Sequence, residues 1–261
     1  MSSRSDPIGN PLEGAVALVT GGALRVGRVI CLAFAARGAH VAFTHLPGET
    51  AAQTATELEE VGRAVSDLRA APPEVMSLPL DVREPGAPER VVGRVVDRFG
   101  RVDILVNNAS VWLRAPFLEI TREDWQTALD INLTGPFLMC QAVAPHMLRQ
   151  QSGVIINITD LSAYQTWPGC AHHSASKAGL VALTRTLAAE LAPHVRVNAI
   201  APGTVLLPEG ASESKIEWAV ENSLLKRVGR PEDVARTVLF LVDSDFATGA
   251  VYFMDGGRAL V

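Results

Sequence analysis

The sequence predicts a single doubly wound α/β domain with a mainly parallel sheet. Two observations carry this: short apolar runs alternate with helical periods along almost the whole chain, and the first run ends in a glycine-rich turn that opens a helix. Residues 1–13 are polar and rich in breakers and are expected to form a flexible N-terminal arm ahead of a domain spanning 14–261. AVALVT (15–20) reads as the first strand, RVGRVICLAFAARG (25–38) as a helix stopped by glycine, and HVAFTH (40–45) as the second strand. A polar helix over about 49–69 follows, then a strand at VMSLPL (75–80), a helix near 86–99 and a strand at DILVNN (103–108). A long helical region over 122–150, the strand VIINIT (154–159), a helix across 171–192, the strand VRVNAI (195–200) and a last helix and strand complete the pattern. Each strand is short and largely apolar, as strands covered on both faces are. A barrel is the alternative arrangement of the same alternation. No composition shift, long linker or internal repeat divides the chain.

With 48% hydrophobic and 20% charged residues in 261, the composition is that of an ordinary globular chain. A net charge of -5 without a dense run of lysine and arginine argues against nucleic acid or an anionic membrane as partner, leaving a small molecule. Cys31, Cys140 and Cys170 have no paired spacing, and the N-terminus lacks a basic start followed by an apolar run, so a reducing cytoplasm is expected. Charges, glycines or prolines interrupt every apolar segment short of the roughly 20 residues a spanning helix needs, so no membrane span is expected.

The first strand runs into TGGALRVG (20–27), where glycines let the backbone approach a pyrophosphate and the helix offers unpaired N–H groups. A tight strand-to-helix connection is the plainer reading of the same turn. The second strand ends in His45 and continues LPGE, without the aspartate after Thr44 that would bind both adenosine ribose hydroxyls. Arg25 stands in the first loop, either to contact a 2′-phosphate or to hold the loop itself. NADP(H) is therefore favoured over NAD(H).

The stretch CAHHSASK (170–177) gathers a thiol, two histidines, two hydroxyls and a lysine. Its spacing matches no closed zinc pattern, and neighbouring helical side chains diverge by about 100°, so no metal is expected. Cys170 reads as packing, and His172 as a surface or pocket-wall residue. His173 and Lys177 lie four apart and share a helical face.

Several motifs occur in order: Thr20, Gly21 and Gly27 in the first loop, Asp81 in LPLDV, NNAS at 107–110, Asn132 in DINLTG, Asp160 in INITD, Lys177 in SASK, APGT at 201–204 and MDGG near the end. On these motifs the chain resembles the classical short-chain dehydrogenases/reductases from about Glu13 onward. The resemblance implies a Rossmann domain with a mainly parallel seven-stranded sheet, a nicotinamide cofactor and a homo-oligomer, a tetramer in this family. It implies cofactor contacts from Thr20, Gly21, Arg25, Val26, Gly27, His45, Asp81, Val82, Asn108, Ala109, Lys177, Pro202 and Gly203. The implied catalytic set is Asn132, Asp160, His173 and Lys177, with Asp160 at the position of the family's serine and His173 at that of its tyrosine. Arg25 and Asp160 are similar to residues of the pteridine reductases, as is Trp112 in NNASVW. The implied substrate contacts are Ser110, Trp112, Asp160 and His173. Trp112 suits stacking on a flat heterocycle, and a buried packing role is its other reading.

A histidine in the tyrosine's place changes the proton chemistry. The charge of Lys177 opposes an imidazolium, and a nearby Asp160 carboxylate favours it, so the two together form a candidate acid for a ring nitrogen or carbonyl oxygen. Imidazole has a shorter reach than phenol, so a water held by Asn132 is expected to complete the relay. Tyr164 offers a substitute hydroxyl. The function expected is an NADPH-dependent reductase of a dihydropterin or related conjugated heterocycle. A carbonyl reductase and a catalytically silent NADP- or pterin-binding protein are the alternatives. Residues 208–223 occupy the place of the family's substrate lid.

Overall fold

The computed structural model describes residues 12–48, 51–66, 72–207 and 210–261. Residues 1–11 of the expected arm and residues 208–209 of the expected lid lie outside the described residues. The strands are β1 (Val16–Val19), β2 (His40–His45), β3 (Val75–Pro79), β4 (Ile104–Asn107), β5 (Gly153–Ile158), β6 (Val195–Pro202) and β7 (Val251–Met254). They form one seven-stranded sheet in the order β3-β2-β1-β4-β5-β6-β7, with every pairing parallel. The helices are α1 (Arg25–Ala36), α2 (Ala52–Ser66), α3 (Ala87–Phe99), α4 (Arg122–Leu129), α5 (Gly135–Gln150), α6 (Ala171–Glu190), α7 (Glu213–Glu221) and α8 (Pro231–Asp243). The alternation expected from the sequence is present, and the barrel is not formed.

The period of two along β1 divides the core. Val16 and Leu18 enter one cluster with Val91, Val95, Leu105, Met139, Val143 and Ile155, beneath α3 and α5. Ala17 and Val19 enter the other with Ile30, Phe34, Phe43, Leu58, Val106 and Val234, beneath α1, α2 and α8. All four residues of β1 are at most 1% exposed, which is why the run is apolar throughout rather than alternating. Strand order reverses between β1 and β4, and the crevice outside their carboxyl ends is where a doubly wound sheet presents a ligand site.

The region 122–150 is interrupted. Between α4 and α5 the chain makes a π-helical turn over Asp130–Thr134. Pro136 has no N–H to donate to the carbonyl of Asn132 four residues earlier, and the helix widens there. Periodicity alone does not register such a turn, because the apolar spacing resumes on its far side.

Among the described residues no helix is long and apolar enough to cross a membrane. Phe34 is fully buried between α1 and the sheet. Phe34→Ala is expected to lower the unfolding free energy by about 3–5 kcal/mol, measured by denaturant titration, and a loss under about 1 kcal/mol would contradict this packing.

Candidate active site

The carboxyl ends of β1, β4, β5 and β6 open into a cleft of about 1470 Å³. Thr20 closes β1: its Oγ1 accepts from the N–H groups of Asn108 and Ala109, each at 3.0 Å. The Asn108 amide returns two bonds of 3.0 Å to the carbonyls of Thr20 and Gly21. Gly21 adopts a φ of 62°, and a Cβ on Gly27 would lie 2.2 Å from the Gly21 carbonyl oxygen, so the loop has no room for a side chain there. Leu24 caps α1 without a side-chain hydrogen bond, leaving the N–H groups of the first turn unclaimed by a cap.

Arg25 has a φ of 54°, a conformation that favours glycine, and lines the cleft. Among the described residues it makes no hydrogen bond to the loop. His45 also borders the cleft, with Nδ1 2.9 Å from the Leu46 carbonyl oxygen. Arg83, which the sequence reading missed, grips both oxygens of Asp81 and holds that carboxyl below its ordinary range. Val82 packs against Gly135, while Pro202 ends β6 and Gly203 fits against Asp255, where a Cβ would come within 2.8 Å of backbone. Val26, Gly27, Asn108, Ala109, Pro202 and Gly203 all line the same cleft.

At the centre, His173 Nε2 lies 2.6 Å from Asp160 Oδ2. The other carboxylate oxygen accepts from the Ser162 N–H at 2.8 Å and from the Ser162 hydroxyl at 2.5 Å. Burial pushes the Asp160 carboxyl up; the hydrogen bond from His173, the charge of Lys177 and the bond from Ser162 outweigh it, and its pKa lies below the ordinary value. His173 Nδ1 faces an acceptor and a donor at once, the Val111 carbonyl oxygen at 3.2 Å and the Asn132 amide nitrogen at 3.3 Å. A neutral ring accepts from Asn132; an imidazolium donates to Val111. The ring can therefore gain or lose a proton without leaving a nitrogen unpaired.

Asn132 is 1% exposed, and its amide is spent on protein groups. It accepts from Ser110 Oγ and the Val111 N–H, both at 2.9 Å, and donates to the Val111 carbonyl and Ser176 Oγ, both at 3.1 Å. The side chain holds His173, the Ser110 hydroxyl and the Val111 backbone, because the π turn aims it into the protein. Ser110 likewise turns its hydroxyl to Asn132. Lys177 is buried beside the cleft with Nζ donating to the Ile158 carbonyl at 3.0 Å, and burial lowers its pKa against the pull of Asp160.

Trp112 is 53% exposed, so it is not a core residue; its ring meets His173 edge to face with centroids 4.4 Å apart. Two sequence expectations are corrected. His172 is neither at the surface nor on the pocket wall: it is fully buried where α4 covers the first turn of α6, and neither ring nitrogen has a hydrogen-bond partner among the described residues. Burial accordingly holds it below the ordinary imidazole value. Tyr164 meets Phe253 at a tilt of 57° with centroids 4.8 Å apart and is not among the residues lining the cleft.

Below the cleft, Asn107 donates to Asn157 at 2.9 Å, and Asn157 donates to Thr184 at 2.9 Å, tying β4, β5 and α6 together inside the core. Asn107 also donates to Cys140, whose thiol burial pushes up to about 12. The three cysteines are free and buried, and among the described residues no group of three or more His, Cys, Asp or Glu side chains could hold a metal ion.

Residues 22–259 match the family model described as enoyl-(acyl carrier protein) reductase. The chain belongs to the short-chain dehydrogenase/reductase family. It is an NAD(P)-dependent oxidoreductase of that family. It is 37% identical over 254 residues to the 3-oxoacyl-(acyl-carrier-protein) reductase FabG of Thermotoga maritima, covering 95% of this chain and 99% of that one. It is 35% identical over 258 residues to 3beta-hydroxysteroid dehydrogenase 1 of Eggerthella lenta, covering 95% of each. A doubly substituted short-chain dehydrogenase/reductase of Serratia marcescens superposes with a TM-score of 0.87 at 31% identity, over 96% of this chain and all of that one. These relatives establish the family and leave the substrate to the site.

The depressed pKa of Asp160 carries a stability consequence. Its contribution is full above the unfolded carboxyl value of about 3.9 and is lost as pH falls through the lower folded value. The stability difference between the wild type and Asp160→Asn, followed by urea unfolding, is expected to shrink as pH falls below about 4. A difference that grows on acidification would contradict the assignment.

Proposed function

We propose that the protein is an NADPH-dependent reductase that adds hydride and a proton across a conjugated C=N bond of a dihydropterin or related heterocycle. The observation that carries the proposal is the 2.6 Å contact of Asp160 with His173 directly beneath the half-exposed ring of Trp112. A flat ring lying along Trp112 places its nitrogen above a pair of groups that holds one mobile proton.

The cofactor end supports a dinucleotide. The cleft is larger than the roughly 300–1,000 Å³ that a single drug-sized ligand fills, and it begins at the uncapped N-terminus of α1, which favours a pyrophosphate. Arg25, without a hydrogen-bond partner among the described residues and held at a backbone angle that glycine would adopt more cheaply, suits a 2′-phosphate; no acid follows Thr44 to compete for the ribose. Thr20, Gly21, Val26 and Gly27 would border the phosphates, His45, Asp81 and Val82 the adenine half, and Asn108, Ala109, Lys177, Pro202 and Gly203 the nicotinamide half. A reduced nicotinamide bound there supplies the hydride.

The chain's own residues manage the proton. Asp160 and His173 hold it across their hydrogen bond, and it leaves for the substrate nitrogen as negative charge develops there. Asn132 fixes the ring, and the Val111 carbonyl accepts from the Nδ1–H that stays on the imidazole once the Nε2 proton has left. Lys177 lies by the Ile158 carbonyl, where its charge disfavours an extra proton on the pair and so eases its release.

A second reading is favoured by the relatives, whose names describe 3-oxoacyl reduction and hydroxysteroid oxidation. The same pair could protonate a carbonyl oxygen. Steady-state assays with NADPH on dihydropterins and on 3-oxoacyl thioesters separate the two: turnover of the pterin alone supports the heterocycle, and turnover of the thioester alone replaces it. Binding of NADPH with no turnover of either would mark a silent binding protein.

Asp160→Asn and His173→Gln are each expected to lower kcat by about 10²–10⁴-fold while NADPH affinity, measured by calorimetry, stays within a few-fold. Because the proton-loaded pair is the donor, wild-type kcat should fall as pH rises; a flat profile between about pH 5.5 and 8 would remove the imidazolium from the mechanism. Arg25→Gly should weaken NADPH about tenfold or more and leave NADH nearly unaffected, and equal losses for both would withdraw the phosphate contact.

A further inference from the structure

The substrate end of the cleft contains a cation that the proton chemistry does not use. Arg258 opens the short 3₁₀ turn Arg258–Leu260 after β7, and its guanidinium carbon lies 4.9 Å from the ring centre of Trp167 and 4.7 Å from that of Trp218. Trp167 belongs to the connection between β5 and α6, and Trp218 to α7. Gln165 fastens the arrangement: its Oε1 accepts from the Trp167 indole at 3.2 Å, and its Nε2 donates to the Arg258 carbonyl at 2.9 Å. Arg258, Trp167, Trp218 and Thr204 line the cleft that Asp160 and His173 line.

The charge of this guanidinium is poorly compensated. Among the described residues no carboxylate forms an ion pair with it. Asp255 and Asp160 are the acids that act on it, and both are committed elsewhere. Asp255 accepts from the N–H groups of Gly257 and Ala259, at 2.9 and 2.7 Å. Asp160 is taken by His173 and Ser162. Burial lowers the Arg258 pKa, although a guanidinium stays charged in a protein.

Its geometry selects the kind of anion. Nη1 donates to Thr204 Oγ1 at 3.0 Å, which leaves the edge formed by Nε and Nη2 with two parallel N–H groups. Such an edge matches the two oxygens of a carboxylate, and the flanking indoles fix the plane of the fork before anything binds.

We infer that Arg258 is a specificity-determining residue that receives a carboxylate carried on a side arm of the substrate, with Trp167 and Trp218 walling the arm. The inference rests on the placement of the reacting group beside Asp160. The preferred substrates are then anionic conjugated compounds rather than neutral ones of the same ring.

Two probes that do not react isolate this contact from turnover: 4-aminobenzoate and 4-aminobenzamide, titrated calorimetrically into the protein saturated with NADP⁺. The wild type should bind the carboxylate at least about tenfold more tightly than the amide, the scale of a charged hydrogen-bonded contact. Arg258→Met should reduce that ratio to about one, and Arg258→Lys, which keeps the charge and loses the fork, should give an intermediate ratio. Arg258→Gln serves as a second neutral variant if the methionine variant melts well below the wild type. Equal binding of the two probes by the wild type, or a ratio unchanged in the neutral variants, overturns the inference and reduces the stack to a structural clasp. The pterin assay reads the other proposal independently. Loss of pterin turnover with the probe ratio intact fells only the heterocycle, and loss of the ratio with turnover intact fells only the role of Arg258.

Discussion

The hydrogen bond between Asp160 and His173 is the interaction on which the site depends. A partly buried carboxylate and a buried imidazole each carry a desolvation cost, which their hydrogen bond offsets in part. Two further contacts keep the pair in place. Ser162 fixes the second carboxylate oxygen, and Asn132 with the Val111 carbonyl gives the far nitrogen a partner in either protonation state. A histidine that can change charge without breaking its surroundings suits proton transfer, whereas one with a single satisfied state would be a structural residue.

The scaffold around this bond is rigid for reasons that run through the sheet. Thr20 and Asn108 lock β1 to the chain leaving β4, and Asn107, Asn157 and Thr184 continue the polar network into α6. These groups sit between two apolar clusters on opposite faces of the sheet, and the Asn107 amide oxygen is buried there without a hydrogen-bond partner among the described residues. The π turn at Asp130–Thr134 is a local departure that this frame tolerates, and it turns Asn132 inward to meet α6.

The two ends of the cleft use charge differently. Beside the first loop, Arg25 has no hydrogen-bond partner among the described residues, while Arg83 is occupied with Asp81. At the far end Arg258 is held between two indoles and keeps one edge uncommitted. The half-exposed Trp112 stands between these regions over His173, so the cleft offers a flat apolar wall flanked by cations. An oxoacyl reductase and a hydroxysteroid dehydrogenase among the relatives show that this fold serves several substrates, and the side chains around the cleft are where this chain differs in chemistry.

Local periodicity determined the alternation of strands and helices, and the residue types at the ends of β1, β4 and β5 marked the cleft before any coordinates did. The four-residue spacing put His173 and Lys177 on one face of α6. The same reasoning could not orient rings or find partners. His172 reads as polar in sequence yet is buried, because α4 arrives from forty residues away to cover it. Nothing in INITD or HHSASK says that a 13-residue separation closes to a hydrogen bond, or that Asn132 will spend its amide on protein. Arg83, Asn157, Trp167, Trp218 and Arg258 carry no repeating pattern, and their roles arise from contacts between segments far apart in the chain. The sequence by itself therefore determined the elements, the family motifs and the unusual residue types at the site. Only the tertiary structure decided which of those side chains meet, because burial and hydrogen-bond partners are set by packing between elements and not by spacing within them.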